Sequence, residues 1–135
     1  MTRVMMHALT QAPWVLALGA DLPGLPAHFV AQAIALLEDA EGPDVVIGPT
    51  TDGGFYLLGV RALSPDALLG VRWSTEHARA DVERRFQEGG ANIAHVPGWF
   101  DVDVPTDLAH AEHVLAADPS LFAPALRRVL ASPEC

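Results

Sequence analysis

Lysine is missing altogether from the 135 residues, which removes at once a Schiff-base nucleophile and the lysine of a P-loop. The eight cations are all arginine, and against 17 acidic residues they leave a net charge of −9. Arg84-Arg85, Arg127-Arg128 and the pair Arg61 with Arg72 are too few to form a basic stripe. Nucleic acid and anionic membrane surfaces are therefore excluded as partners. Cysteine is almost as scarce: Cys135 stands alone at the end of the sequence, so no internal disulfide or CxxC metal site is available and a reducing cytoplasm is the expected location. Long apolar runs are lacking too, since none approaches the roughly 20 residues that span a bilayer. The opening MTRVMMHALTQAP has neither the apolar core nor the cleavage site of a signal peptide, so the chain is expected to be soluble and unprocessed, with no membrane partner.

What is present is a composition 50% apolar and 19% charged, suited to one domain over residues 1–135 that buries about two-thirds of its unfolded surface. Trp14 to Gly19 is short and continuously apolar, the pattern of a central parallel strand covered on both faces. Residues 27–40 predict a largely covered helix whose polar stripe is His28, Gln32 and Asp39. Strands are expected at 44–48, 55–60 and 92–97. Residues 64–70 suggest a short helical turn, and a longer helix capped by Ser74 or Thr75 is expected to run to about Glu88, supported by Asp81 and Arg85 at i,i+4. Pro105 suits a first helical position, with Leu108, Ala111 and Leu115 on the buried side, and a last helix is expected from Ser120 to Leu130. Alternating strands and helices predict an α/β fold of three layers with a mostly parallel sheet flanked by helices.

In open α/β sheets the ligand crevice lies beyond the carboxyl ends of the strands. Those ends deliver Asp21, the loop Asp52-Gly53-Gly54, and Asp101 with Asp103. Carboxylates gathered at one edge repel, and a hard divalent cation, Mg²⁺ or Mn²⁺, is the usual compensation. On an extended segment residues i and i+2 point the same way, so Asp101 and Asp103 can face one site. Gly53 and Gly54, without Cβ atoms, let the backbone approach a sugar or phosphate closely. Each residue also has a plainer role: Asp21 as a turn cap, Asp52-Gly53-Gly54 as a β-turn, Asp103 and Asp107 as partners of a helix dipole. Trp73, Trp99 and Tyr56 offer faces for a base or sugar, or packing. His110 and His113 share a helix face at i,i+3 without further ligands nearby in sequence and read as solvated.

Four motifs occur in order: Gly19-Ala20-Asp21-Leu22-Pro23-Gly24-Leu25, Gly48 to Gly59 with Thr50-Thr51-Asp52-Gly53-Gly54-Phe55-Tyr56 at its centre, Trp73-Ser74-Thr75, and Phe100 to Leu108 with Asp101-Val102-Asp103. Together, over residues from about 14 to 115, they resemble an uncharacterised bacterial GT-A-like transferase family, glycosyltransferases associated with radical-SAM and selenium proteins. Its relatives include the molybdenum-cofactor and 2-phospholactate nucleotidyltransferases. The resemblance implies the Rossmann-like nucleotide-diphospho-sugar transferase fold, Asp21 in the place of a metal-binding Asp, and Asp101 and Asp103 as the acidic pair that completes the metal site. It also implies that Asp52-Gly53-Gly54 meets the acceptor or donor sugar, and Trp73, by its aromatic face, is a further candidate for substrate binding. Family members open with a loop of the type K-x-P-x-x-G-x-x-K-T-R-L, which this sequence does not contain. The expectation is thus a fold lacking its first strands, whose uncovered sheet edge makes a homo-oligomer. Phe55 replaces the usual Tyr, and Val104 stands where a Thr normally caps the helix.

The leading functional expectation is a metal-dependent glycosyl- or nucleotidyltransferase acting on a nucleotide-activated sugar or a nucleoside triphosphate. Asp21, Asp101 and Asp103 are its metal ligands, and Asp52 orients or deprotonates the acceptor hydroxyl. A catalytically silent remnant serving as an assembly or regulatory subunit is the alternative, and a phosphatase-like metal hydrolase a third reading.

Overall fold

The computed structural model describes residues 1–131, so Cys135 lies outside the described residues. The element order is α1 (Thr2–Leu9), β1 (Val15–Leu18), α2 (Ala27–Glu38), β2 (Val45–Pro49), β3 (Phe55–Val60), α3 (Ala78–Glu88), β4 (Ile93–His95), α4 (Pro105–Ala117) and α5 (Pro124–Leu130). The strands form one sheet in the order β1-β3-β2-β4. Only β2 and β4 pair in parallel, while β3 runs antiparallel to both its neighbours. The sheet is therefore mixed rather than mostly parallel. Its reason is local: five residues from Thr50 to Gly54 separate β2 from β3, enough for a hairpin and far too few for a parallel crossover.

The hairpin also displaces β1. Its apolar run marks a central parallel strand by composition, yet it pairs only with β3, in the register Val15 to Val60 through Leu18 to Leu57. Among the described residues it is an edge strand, and Leu18 is exposed.

Apolar residues fill both faces of the sheet. Val45, Ile47, Leu58 and Val60 meet Met5 of α1, Val82 and Phe86 of α3, and Leu68 and Val71 from the preceding loop. On the other face Val46, Tyr56 and Leu57 meet Ala33 and Leu37 of α2. Gly59 makes that second contact possible, because a Cβ there would stand 2.6 Å from Leu37 Cδ1. The Arg61 guanidinium donates to the carbonyls of Leu36, Asp39 and Ala40, satisfying the exposed end of α2.

Several helices differ from expectation. α1 carries apolar Met5, Ala8 and Leu9 at i, i+3 and i+4 and covers the first core. α2 is half covered, with only Ala33 and Leu37 buried. α3 begins three residues beyond Thr75, whose hydroxyl accepts from the His77 N–H and donates to the Arg72 carbonyl. In α4, Ala111 and Leu115 are buried but Leu108 is exposed. Residues 64–70 form turns, and α5 starts at Pro124 rather than Ser120. No helix among the described residues is long and apolar enough to cross a membrane.

Candidate functional site

The site forms where β2 ends. Thr50 makes a parallel bridge to Trp99, and the Trp99 N–H donates to the Pro49 carbonyl at 3.0 Å. Two residues beyond each bridge partner lie Asp52 and Asp101, so the bridge itself carries the two carboxylates to the same rim. The 97–102 segment is fixed by three further bonds. Tyr56 Oη donates to the Pro97 carbonyl at 2.8 Å, Trp99 Nε1 donates to Pro23 O at 3.1 Å, and the Val102 N–H donates to Asp21 O at 3.1 Å. Burial pushes the Tyr56 hydroxyl above its usual pKa, so it stays a donor.

Carboxylate oxygens of Asp52, Asp101 and Asp103 all lie within 4.8 Å of one another. Asp103 is held from behind: Asp107 Oδ2 accepts from the N–H groups of Asp103 and Val104, both at 3.0 Å. This is half of a capping box. Val104, where a Thr was the family expectation, has no oxygen for the other half.

The electrostatics follow from these contacts. Thr50 Oγ1 donates to Asp52 Oδ1, and the Gly54 N–H donates to the same oxygen at 3.0 Å. The Thr50 hydroxyl is the main reason the Asp52 carboxyl is held below the usual carboxylate range. Asp101 is pushed the other way, by burial first and then by the charges of Asp52, Asp103 and Asp21.

Asp21 is placed differently from the sequence-based ligand set. Its charge is felt at Asp101, but the close group of three contains Asp52 in its stead. What Asp21 contributes directly is its backbone carbonyl, bonded to Val102. Asp21 follows β1, which is one strand removed from β2 because β3 lies between them.

Two cavities flank the carboxylates. One, about 490 Å³, lies between Thr51, Phe100, Val104, Asp107 and His110. The other, about 350 Å³, is bounded by Phe55, Trp73, Ser74, Thr75 and Glu76. Asp52, Asp101 and Asp103 border both. A larger space of about 770 Å³ opens near Gly90 at the start of β2, away from this rim.

The Trp73 wall is built from two sides. Asp81, buried on α3, accepts from the Arg72 N–H at 3.1 Å, from Arg72 Nε at 2.8 Å and Nη2 at 3.0 Å, and from Arg84. The Arg72 guanidinium and backbone N–H hold the Asp81 carboxyl well below its usual range. Arg85, the partner expected at i,i+4, instead donates to the Asp66 carbonyl. Gly53, at φ +92°, packs on the Glu76 backbone, where any Cβ would collide. Between these supports Ser74 sits at φ 58°, a left-handed conformation that carries strain in a residue with a side chain.

Asp52, Gly53, Gly54, Trp73, Asp101 and Asp103 thus share one region. His110 was missed as a neighbour of it. The ring lies edge-on to Phe100 at 4.7 Å and borders the larger of the two cavities beside the carboxylates. The only sequence signal was its position one helical turn beyond Asp107.

The α/β fold is similar to that of a nucleotide-diphospho-sugar transferase structure. That structure, of a candidate nucleotide-diphospho-sugar transferase from Desulfovibrio desulfuricans, superposes with a TM-score of 0.74 at 26% identity. The match covers 94% of this chain and 56% of that one, so this chain spans little more than half the length of its structural relative. Residues 1–75 match the family described as "Uncharacterized protein conserved in bacteria (DUF2064)", and the chain belongs to that family. No curated protein matches it.

Proposed function

We propose that this chain carries the metal and acceptor side of a transferase site, moving a group from a nucleotide-activated sugar or a nucleoside triphosphate onto a hydroxyl. The observation that carries the reading is the convergence of Asp52, Asp101 and Asp103 on one rim between two cavities. The likeness to the candidate nucleotide-diphospho-sugar transferase supports a sugar nucleotide as donor.

An all-oxygen donor set of three carboxylates suits Mg²⁺ or Mn²⁺, and such an ion offsets the burial, and after it the neighbouring charges, that raise Asp101. Asp52, Asp101 and Asp103 would hold it, and when bound it supplies neutralisation of charge on a phosphate leaving group. Asp21 adds negative field beside them. Asp52, kept ionised by Thr50 and Gly54, fits a ligand or an acceptor of a hydroxyl hydrogen bond better than a proton-abstracting base. Trp73 lines the smaller cavity beside this loop. Among the described residues the outer edge of β1 pairs with no other strand, which supports self-association, and a clean monomer by light scattering counts against that part.

Calorimetric titration of Mn²⁺ with UDP- and GDP-sugars into the wild type and Asp103→Ala tests the reading. Metal-dependent nucleotide binding by the wild type and its loss in the variant are expected. A wild type that binds neither metal nor nucleotide overturns it.

A further inference from the structure

His110 stands on α4, one helical turn beyond Asp107, whose carboxylate fixes the backbone of Asp103 and Val104. Its ring is set edge-on against Phe100 at 4.7 Å and 85°, a contact that occupies neither nitrogen. Among the described residues neither ring nitrogen has a hydrogen-bond partner. The ring borders the cavity of about 490 Å³ together with Thr51, Asp52, Asp101, Asp103 and Asp107. Ionised aspartates only accept hydrogen bonds, so Thr51 and His110 are the side-chain donors of this cavity, and of the two only His110 can also carry positive charge. His110 is nevertheless outside the close group of candidate metal ligands, which Asp52, Asp101 and Asp103 form by themselves.

From this placement we infer that His110 binds the donor: a ring N–H donates to an oxygen of the diphosphate leaving group, which lies in the larger of the two cavities. The inference rests on the transferase reading and adds a residue to its site. The leaving group is a diphosphate for either donor class, a nucleoside diphosphate from a sugar nucleotide or pyrophosphate from a nucleoside triphosphate. A cavity of this size falls within the range of small-ligand pockets. Three rim carboxylates exceed the charge of one divalent ion, so a diphosphate there still meets net negative charge. A donor beyond the ligand set, able to make a charge-assisted hydrogen bond, offsets it. No arginine lines this cavity among the described residues and the chain has no lysine, which leaves His110 for that part. The edge contact with Phe100 orients the ring in advance, so less freedom is lost on binding. His113, three residues on, does not border this cavity and serves as a control.

The test titrates pyrophosphate, standing for the donor's diphosphate, into the full chain saturated with Mg²⁺, with the same free Mg²⁺ in both solutions. Wild type, His110→Ala, His110→Gln and His113→Ala are compared by calorimetry, with glucose 6-phosphate as a monophosphate probe and Mg²⁺ affinity measured on each protein. His110→Ala is expected to weaken pyrophosphate binding about tenfold, roughly 1.4 kcal/mol, and to leave Mg²⁺ affinity within about twofold. His110→Gln keeps an N–H donor and should recover most of that loss, while His113→Ala should match the wild type. In the wild type the His110 ring resonances, assigned with His110→Ala, should move on adding pyrophosphate and those of His113 should not. Equal pyrophosphate binding by His110→Ala overturns the inference and leaves the ring as packing on Phe100. An equal loss of Mg²⁺ affinity also overturns it, since His110 would then support the rim rather than the phosphate, and a loss confined to glucose 6-phosphate overturns the assignment to the donor. A wild type that binds Mg²⁺ but no pyrophosphate sinks the inference alone, whereas one that binds no Mg²⁺ sinks the transferase reading and the inference with it.

Discussion

Replacing Asp101 by Asn should make the metal-free protein more stable and abolish its stabilisation by a divalent cation. Asp101 is the member of the acidic group whose carboxyl is pushed up, by burial and then by Asp52, Asp103 and Asp21. At a separation of 4.8 Å two unit charges in water repel by roughly 0.9 kcal/mol. Asp52 and Asp103 are exposed, so the aqueous value is the one to use. Two such repulsions amount to about 1–2 kcal/mol relieved by the substitution. With an unfolding entropy of roughly 2.1 cal/mol/K per residue, the gain corresponds to a rise in Tm of about 4–7 °C. The sign with pH follows: because the folded state holds the Asp101 proton more tightly than the unfolded chain, stability from this group is full below the unfolded carboxylate pKa. It is lost as pH rises through the raised folded value, and the Asn variant should lack that loss. Mn²⁺ at a hundred times its Kd should add about 2.7 kcal/mol to the wild type and nothing to the variant. Scanning calorimetry with and without Mn²⁺ reads both effects. A variant less stable than the wild type without metal, or one stabilised equally by metal, would refute the reasoning.

Other outcomes follow from the same geometry. Asp107→Ala removes the acceptor for the N–H groups of Asp103 and Val104. It should cost about 1 kcal/mol in urea unfolding and weaken Mn²⁺ binding. Val104→Thr restores the missing cap acceptor and should gain roughly 0.5–1 kcal/mol by the same measurement. Gly53→Ala forces a side chain to φ +92° against the Glu76 backbone. It should destabilise by at least about 1–2 kcal/mol and shift the Trp73 indole resonance while the core resonances stay put. Asp81 has a carboxyl held low by Arg72, so it contributes stability above the unfolded carboxylate pKa that is lost on acidification through the folded value. Asp81→Asn should lower stability at neutral pH and flatten its dependence in the acid range, followed by circular dichroism against pH.

Much of this molecule is set by local pattern. The apolar runs at 15–18, 45–49 and 55–60 are strands because continuous apolar side chains need cover on both faces, and Asp101 and Asp103 share a direction because an extended backbone repeats every two residues. Helix α1 was not expected from the sequence, although Met5, Ala8 and Leu9 stand at i, i+3 and i+4 within it. The Asp81 partner was not legible: i,i+4 spacing favours Arg85, and only the fold brings the Arg72 fork and its backbone N–H to the same carboxylate.

The identities of the candidate residues, the acidity of the rim and the absence of lysine belong to the sequence, since they are chemistry carried by each side chain wherever it lies. Which carboxylates meet is another matter. The register that bridges Thr50 to Trp99 brings Asp52 to Asp101 and Asp103, and the fold sets Asp21 close enough for its charge to act on Asp101. Strand order and register are long-range pairings, decided by how the whole sheet buries its apolar faces, and no local spacing encodes them.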